Sequence, residues 1–315
     1  MKIIVTQHEY QKAEAAFRDA DGFQCVPAPN DEVGLAAVIR DTGARYVIVG
    51  TDPYRHELYE ALPAGGAIAR FGVGHDGIDK AKAAARDILC CNTPGVLDDS
   101  VADFAIGLML CSARHLVACA LRSQDGAWKP QNGHEVRGKT LAVIGCGKIG
   151  RRVARTARLG FGMHVIGCDI VDPEGEHDFA ECTDRFDVAV KEADFVSLHI
   201  PDVAATRDFI NAERLAQINC SAILLNTARG GVVDESALFD AVQSGALAGA
   251  ALDVFKTEPY EPQDPSRDLR TLERILMTPH IGSSTAEASE RMARAALQNI
   301  QHAVEGRHDA MTLVS

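Results

Sequence analysis

Short apolar runs rich in Val and Ile recur along the chain at residues 3–5, 46–49, 67–73, 88–91, 140–144, 164–168, 195–200, 222–226, 250–255 and 275–278, with helical patterns between them. Runs that are continuous rather than alternating belong to strands covered on both faces, and helices between such strands make the connections parallel. The pattern predicts an α/β chain throughout.

One long helix is expected to lead out of a first domain. Ser100 with Asp103 three residues on has the form of a capping box, and Val101, Phe104, Ala105, Leu108 and Met109 recur at helical spacing. A polar connection, QDGAWKPQNGHEVRG, follows it, and a new strand opens near Lys139. Toward the other end Ser284 and Glu287 repeat the capping arrangement, and Met292, Ala296, Ile300 and Val304 form a helical stripe that can return to the first domain. The expected organisation is a discontinuous outer domain, residues 1–98 and 285–315, with residues 99–284 inserted into it. A length of 315 residues is more than one core usually serves, which agrees with two domains.

Charge and cysteine usage narrow the function classes. Thirty-two basic against 44 acidic residues give a net charge of −12, and no Lys/Arg run concentrates the cations, so nucleic acid is excluded as an expected partner. The nine cysteines show no C-x-x-C and no ligand-type pairing with His, and are read as buried thiols of a reducing cytoplasm with no metal site. The opening MKIIVTQHEY turns polar too soon for a signal sequence, and the apolar stretch 101–121 is interrupted by Asp103, Arg114 and His115. No membrane span is expected.

The strongest chemical signal is TLAVIGCGKIGRRVARTARLGFGMHVIGCD. Gly145-x-Gly147-x-x-Gly150 follows an apolar strand and opens a helix, and a second strand closes on Asp169, 19 residues past the last Gly. Gly145 permits the tight turn, Gly147 lets the backbone approach a pyrophosphate, and Gly150 lets helix and strand pack closely. Lys148 and Ile149 would present backbone N–H groups to the pyrophosphate at the helix N-terminus. Asp169 suits an adenosine ribose hydroxyl and opposes a 2′-phosphate, and Ile170 and Val171 follow where an Arg would be wanted, so NAD is preferred over NADP.

Three later segments each place a functional side chain beside a strand end: NTARGGVVDE with Arg229, ALDVFKTEP with Glu258 and TPHIGSST with His280. Alone, each has a bland reading as a loop charge, a turn or a satisfied loop His. In this order after a dinucleotide fingerprint, and with RFGVGHDGID at 70–79, the NTPG stretch and the GLML helix, they resemble the D-isomer-specific 2-hydroxyacid dehydrogenases over nearly the whole chain. The resemblance implies two doubly wound parallel-sheet domains, a Rossmann NAD domain inserted into a flavodoxin-like substrate domain. It also implies an NAD-dependent enzyme that interconverts a 2-oxo acid and a D-2-hydroxy acid.

By motif, the resemblance makes Arg229 the cation for the substrate carboxylate and carbonyl, His280 the proton donor and Glu258 the carboxylate that favours its imidazolium. It assigns the backbone N–H groups of Val73 and Gly74 to the substrate carboxylate. It further assigns Asp253 and the Thr227 carbonyl to the nicotinamide amide, and the Val101 side chain to the nicotinamide ring. Arg70, His75 and His199 are read as supporting residues, while Thr51, Tyr54 and Arg55 are candidates to read the substrate side chain. A homodimer through the cofactor domain is expected from the family. Three features depart from its usual pattern: Asp103 in place of Glu, Cys146 inside the Gly motif, and a long polar stretch after Glu258. No residues remain for a C-terminal regulatory domain. An NAD-sensing corepressor and a formate or phosphite dehydrogenase are the alternatives. Against them stand the complete Arg–Glu–His set, the lack of a basic patch, and a Glu where the formate branch pairs its His with Gln.

Overall fold

The apolar runs become twelve strands in two sheets, all paired in parallel, in a computed structural model that describes residues 1–314. The chain divides into two compact units, one comprising Met1–Leu97 with the residues from Ser284 on, the other Asp98–Ser283.

In the first unit β1 (Lys2–Thr6), β2 (Gln24–Ala28), β3 (Tyr46–Val49), β4 (Ala67–Arg70) and β5 (Leu89–Cys91) lie in the order β2-β1-β3-β4-β5. That is the flavodoxin-like doubly wound order, in which ligands bind outside the carboxyl ends of the strands. The fully buried Ile4, Val47, Val49 and Ile68 form its core with Leu35 and Ile39 of the helix Glu32–Thr42.

The second unit holds β6 (Thr140–Ile144), β7 (His164–Cys168), β8 (Glu181–Thr183), β9 (Phe195–Leu198), β10 (Ile223–Asn226), β11 (Gly249–Leu252) and β12 (Ile275–Met277), in the order β12-β11-β10-β9-β6-β7-β8. The order reverses between β6 and β9, whose registered pair Ile144 and Leu198 marks the crevice where a Rossmann sheet takes its dinucleotide.

The sequence pattern misses β2 and β8, and both are sheet edges. Half-exposed edges have no need of a continuous apolar run: β2 contains Pro27, whose missing N–H an edge tolerates, and β8 is Glu-Cys-Thr. Several runs also overshoot at their carboxyl ends. Residues 71–73, 199–200 and 253–255 lie past the ends of β4, β9 and β11 and form the segments that follow those strands.

Helix starts differ from expectation in two places. The long helix is Asp98–Ala113, so Ser100 lies inside its first turn, and Asp98 and Asp99 occupy the start, where their charge complements the exposed N–H groups and pairs with Arg152. It ends where His115 adopts φ +50°, and Leu116–Gln124 continues at 65° to it. For the helix Ala286–Val304 the cap is Thr285, not Ser284, because the Thr285 hydroxyl accepts from Ala288 N at 3.1 Å. No single helix among the described residues is long and apolar enough to cross a membrane. The cysteines also differ from the reading as buried thiols. All nine are free, but four are buried, three are half-buried, and Cys182 and Cys220 are exposed.

Candidate active site

The phosphate-type turn is built by what its glycines lack. Gly145 has φ +100°, and a Cβ there would stand 2.5 Å from the His199 carbonyl oxygen. At Gly150 a Cβ would come 2.1 Å from the Gly145 carbonyl oxygen, so the helix Lys148–Phe161 starts directly on the turn. Around Gly147 the space is open, nothing standing within 4 Å of an added Cβ. Gly147 offers no side-chain cap, which leaves the first N–H groups of the helix, those at Lys148 and Ile149, pointing into that space.

Asp169 closes β7 beside this turn. One of its oxygens accepts from Cys146 N at 2.7 Å and the other from Val171 N at 3.3 Å, so the carboxylate is fixed relative to the glycines and keeps free lone pairs. Ile170 is 92% exposed after it. Arg151 fastens the same region, donating to the carbonyls of Cys146 and Glu174. Burial pushes the Cys146 thiol up to about 12, assisted by the Asp169 charge, so this departure from the usual motif is a neutral packing group.

Arg229, Glu258 and His280 leave the carboxyl ends of three neighbouring strands, β10, β11 and β12. Asn226 shapes the first of these turns. It is buried, its side-chain amide donates to Arg229 O at 2.9 Å, and its carbonyl oxygen accepts from Ala228 N at 3.0 Å, an Asx-type turn. The Arg229 guanidinium donates back to Ala228 O at 2.5 Å. Thr227 Oγ1, in the same turn, is buried with no hydrogen-bond partner among the described residues.

Asp253 is almost fully buried and organises the His280 loop. Its carboxylate accepts from Thr278 Oγ1 at 2.7 Å, Ile281 N at 2.9 Å and Gly282 N at 2.7 Å, while its backbone carbonyl accepts from His280 N at 2.9 Å. These bonds hold His280 at φ +52°, a left-handed conformation that a non-glycine residue adopts at a cost. Burial raises the Asp253 carboxyl above its ordinary value, opposed by those same donors. A Cβ at Gly282 would meet Asp253, Phe104 and Val101 within 4 Å, which places Val101 beside this loop.

His280 Nδ1 meets Glu258 at 2.7 Å, and about a third of each side chain stays exposed. Burial pushes the Glu258 carboxyl up. The hydrogen bond and charge of His280, the Phe255 N–H and the charge of Arg229 outweigh that and hold it below its ordinary value. His199 differs in kind: burial lowers it to about 4, and it bonds Ser197 Oγ at 2.9 Å as a neutral ring.

The remaining expected residues belong to the first unit. In the turn after β4, Gly72 has φ +138° and is tied to Thr93 by bonds of 2.9 and 3.0 Å, while Asn92 holds the Val73 carbonyl at 2.7 Å. The backbone N–H groups of Val73 and Gly74 meet no protein acceptor among the described residues. Tyr54 is fully buried in the first unit's core, whereas Thr51 and Arg55 are exposed.

A dinucleotide fits the second unit on these observations: an open cradle at Gly147, uncapped helix N–H groups, a fixed acid at Asp169 and an orphaned hydroxyl at Thr227.

Comparison with known proteins points the same way. Residues 106–282 match the family model described as D-isomer specific 2-hydroxyacid dehydrogenase, NAD binding domain. A glyoxylate reductase of Korarchaeum cryptofilum is 38% identical over 280 residues, 87% of this chain and 83% of that protein. A hydroxypyruvate reductase of Thermotoga maritima is 46% identical over 228 residues, 71% of this chain and 73% of that one. Among solved structures, the NADPH-dependent glyoxylate/hydroxypyruvate reductase of Sinorhizobium meliloti superposes with a TM-score of 0.86 at 30% identity, covering 100% of this chain and 97% of that one. With its motifs, its two sheets and its relatives in agreement, the chain belongs to the D-isomer specific 2-hydroxyacid dehydrogenases, NAD(P)-dependent oxidoreductases that interconvert 2-oxo acids and D-2-hydroxy acids.

Proposed function

We propose that this protein reduces a small 2-oxo acid of the glyoxylate and hydroxypyruvate kind with NADH, using Arg229, His280 and Glu258. The carrying observation is the 2.7 Å hydrogen bond of His280 Nδ1 to Glu258, on a loop that Asp253 holds in a left-handed turn. With Nδ1 engaged, Nε2 is the ring nitrogen left to give a proton to the C2 carbonyl oxygen. Glu258 stays ionised and orients the ring. Arg229 binds the substrate carboxylate and polarises the carbonyl with its planar fork. In the first unit the N–H groups of Val73 and Gly74, which meet no protein acceptor among the described residues, are the candidates to bind a carboxylate. When bound, the reduced nicotinamide supplies the hydride to C2. In the reverse direction His280 takes the proton back.

Lys148 and Ile149 N–H groups would hold the pyrophosphate and Asp169 a ribose hydroxyl. Asp253 has one lone-pair position beyond its three donors for the carboxamide, with the Thr227 carbonyl as the other contact and Val101 against the ring. Because the Asp169 charge opposes a 2′-phosphate and no Arg follows it, the cofactor is NAD. Thr51 and Arg55, not Tyr54, remain to read the substrate side chain. Free thiols suit a reducing cytoplasm. The partner is a second copy, met on the apolar face of the Leu116–Gln124 helix in the second unit.

The test follows NADH and NADPH consumption with glyoxylate, hydroxypyruvate, pyruvate and 3-phosphohydroxypyruvate, then NAD reduction with formate and phosphite. Turnover of the small 2-oxo acids with NADH is expected, and Asp169→Ala should narrow the gap between coenzymes. Oxidation of formate or phosphite alone would overturn the substrate class, and equal use of NADPH by the unaltered protein would overturn the coenzyme.

A further inference from the structure

We infer that Glu235 is a positioning residue, holding the corner that carries Glu258 and, through Glu258, the ring of His280. The inference rests on the His280–Glu258 pair proposed above.

Glu235 opens the helix Glu235–Ser244, but it is not the cap. Asp234 already satisfies the N–H groups of Ser236 and Ala237 at 3.0 and 3.1 Å. The Glu235 side chain turns instead to a residue 21 positions on, where Oε1 accepts from Lys256 N at 2.8 Å. The residue is only 5% exposed, and its Oε2 is buried with no hydrogen-bond partner among the described residues. A carboxylate in such a place is costly, and burial indeed raises it, opposed by the Lys256 N–H and charge. A helix start already capped by Asp234 has no need of that arrangement. The Phe255–Lys256 peptide does.

Two catalytic arms rest on that peptide and on the Val254–Phe255 peptide directly before it. On one side Phe255 N donates to Glu258 Oε1 at 3.0 Å, while Glu258 Oε2 holds His280 Nδ1 at 2.7 Å. On the other side Gly230, next to Arg229, lies so close that an added Cβ would stand 1.9 Å from the Phe255 carbonyl carbon and 2.4 Å from Lys256 N. The Lys256 ammonium is directed away from the corner, to Asp208 at 2.5 Å, and Asp208 N in turn donates to Gly231 O at 2.8 Å. Glu235 is thus the side chain that fixes the peptide against which Gly230 is packed, one residue past the Phe255 N–H that holds Glu258. The charged and titratable groups facing it are Lys256, Asp234, Asp208 and Tyr260, and those facing the His280–Glu258 pair are Arg229 and Asp253. None of them is altered in the test.

Glu235→Asp keeps the charge but is one methylene too short to reach Lys256 N. Glu235→Gln keeps the reach and the acceptor but removes the charge. The pH dependence of kcat/KM for 2-oxo acid reduction is measured for both, for Glu235→Ala and for Glu258→Gln, alongside NADH binding by fluorescence and far-UV circular dichroism. Glu235→Asp is expected to lose about ten- to hundredfold in kcat/KM, the usual effect of a misplaced catalytic group. Its alkaline limb should move to lower pH, in the direction of Glu258→Gln but by less, with NADH binding kept. Glu235→Gln should recover most of the loss. A Glu235→Asp enzyme with normal efficiency, a loss of efficiency with an unmoved limb, or an impaired Gln variant beside a normal Asp variant would each overturn the inference. If Glu235→Ala does not fold, the Asp and Gln pair decides. An unmoved limb in Glu258→Gln overturns the catalytic pair itself, and the role of Glu235 falls with it.

Discussion

At the level of single side chains, the Glu258 carboxyl sits between two opposing effects, burial that favours its neutral form and the His280, Phe255 and Arg229 groups that favour the ion. The ion wins, and two consequences follow from the sign. For stability, a carboxyl held below its ordinary value contributes fully above its unfolded pKa, and the contribution fades as pH falls through the folded one. For catalysis by the proposed mechanism, reduction fails on the alkaline side as the His280–Glu258 pair loses the proton it must donate. Glu258→Gln keeps the shape but removes the charge from the pair, so the alkaline limb of kcat/KM should move to lower pH. His280→Asn should slow reduction by about 10²–10⁴-fold, the range for a positioned general acid. Profiles measured with saturating NADH check both, and a limb that stays or rises would separate Glu258 from His280. Arg229, Glu258 and His280 are legible in the sequence because each lies in a short motif at a strand end. Asn226 carries a weaker local signal, an Asx turn two residues ahead of the bonded N–H. Glu235 carries none, since its partner Lys256 is distant in sequence and no periodicity reports a contact across a turn.

Among the elements, the sequence finds every interior strand and loses two of the four edges. The buried strands appear as unbroken apolar runs, whereas β2 and β8 do not, because an edge exposes one side of its backbone and half of its side chains. The strand–turn–helix unit β6, 145–147 and Lys148–Phe161 is legible down to single residues, since only glycine meets its steric demands. Those demands are unequal. An added Cβ meets nothing at Gly147, yet it falls 2.1 Å from a backbone oxygen at Gly150, where neither partner can yield as a flexible side chain would. Gly150→Ala should therefore cost about 1–3 kcal/mol of stability, as overpacking does, and weaken NADH binding by displacing the helix N-terminus. Gly147→Ala should leave stability nearly unchanged and affect NADH binding alone. Thermal unfolding and NADH titration of the two variants distinguish them, and equal melting temperatures would show that helix and turn are not in contact at Gly150.

At the scale of the whole molecule, the chain leaves one apolar face that its own folding does not cover. On the second unit Leu116 and Leu121 are each 56% exposed, Val117 is 40% exposed, and Trp128 stands out at 89%. Beside them lies a groove of about 360 Å³, lined by Val117, Leu121, Ile223, Leu272, Ile275 and Leu276 together with the charged Arg122, Arg270, Glu273 and Arg274. Scattered apolar residues on a surface are ordinary, but three exposed apolar residues on one short helix with a groove beside them form a patch of the kind that marks an interface. A symmetric dimer uses the same patch on both copies, which is how one exposed face is closed without leaving another. Trp128 is the only tryptophan in the chain and follows that helix by four residues, so its fluorescence is the probe for this part of the second unit. The protein should sediment at twice its 33.7 kDa chain mass, with indole emission shifted to the blue of a solvated tryptophan. Leu121→Glu, which sets a charge in the patch, should yield a monomer with red-shifted emission and a lower melting temperature, since self-association stabilises the folded chain by mass action. Sedimentation and emission spectra of the two proteins check this. A wild-type monomer, or a dimer whose indole emits as if in water, would place the interface elsewhere.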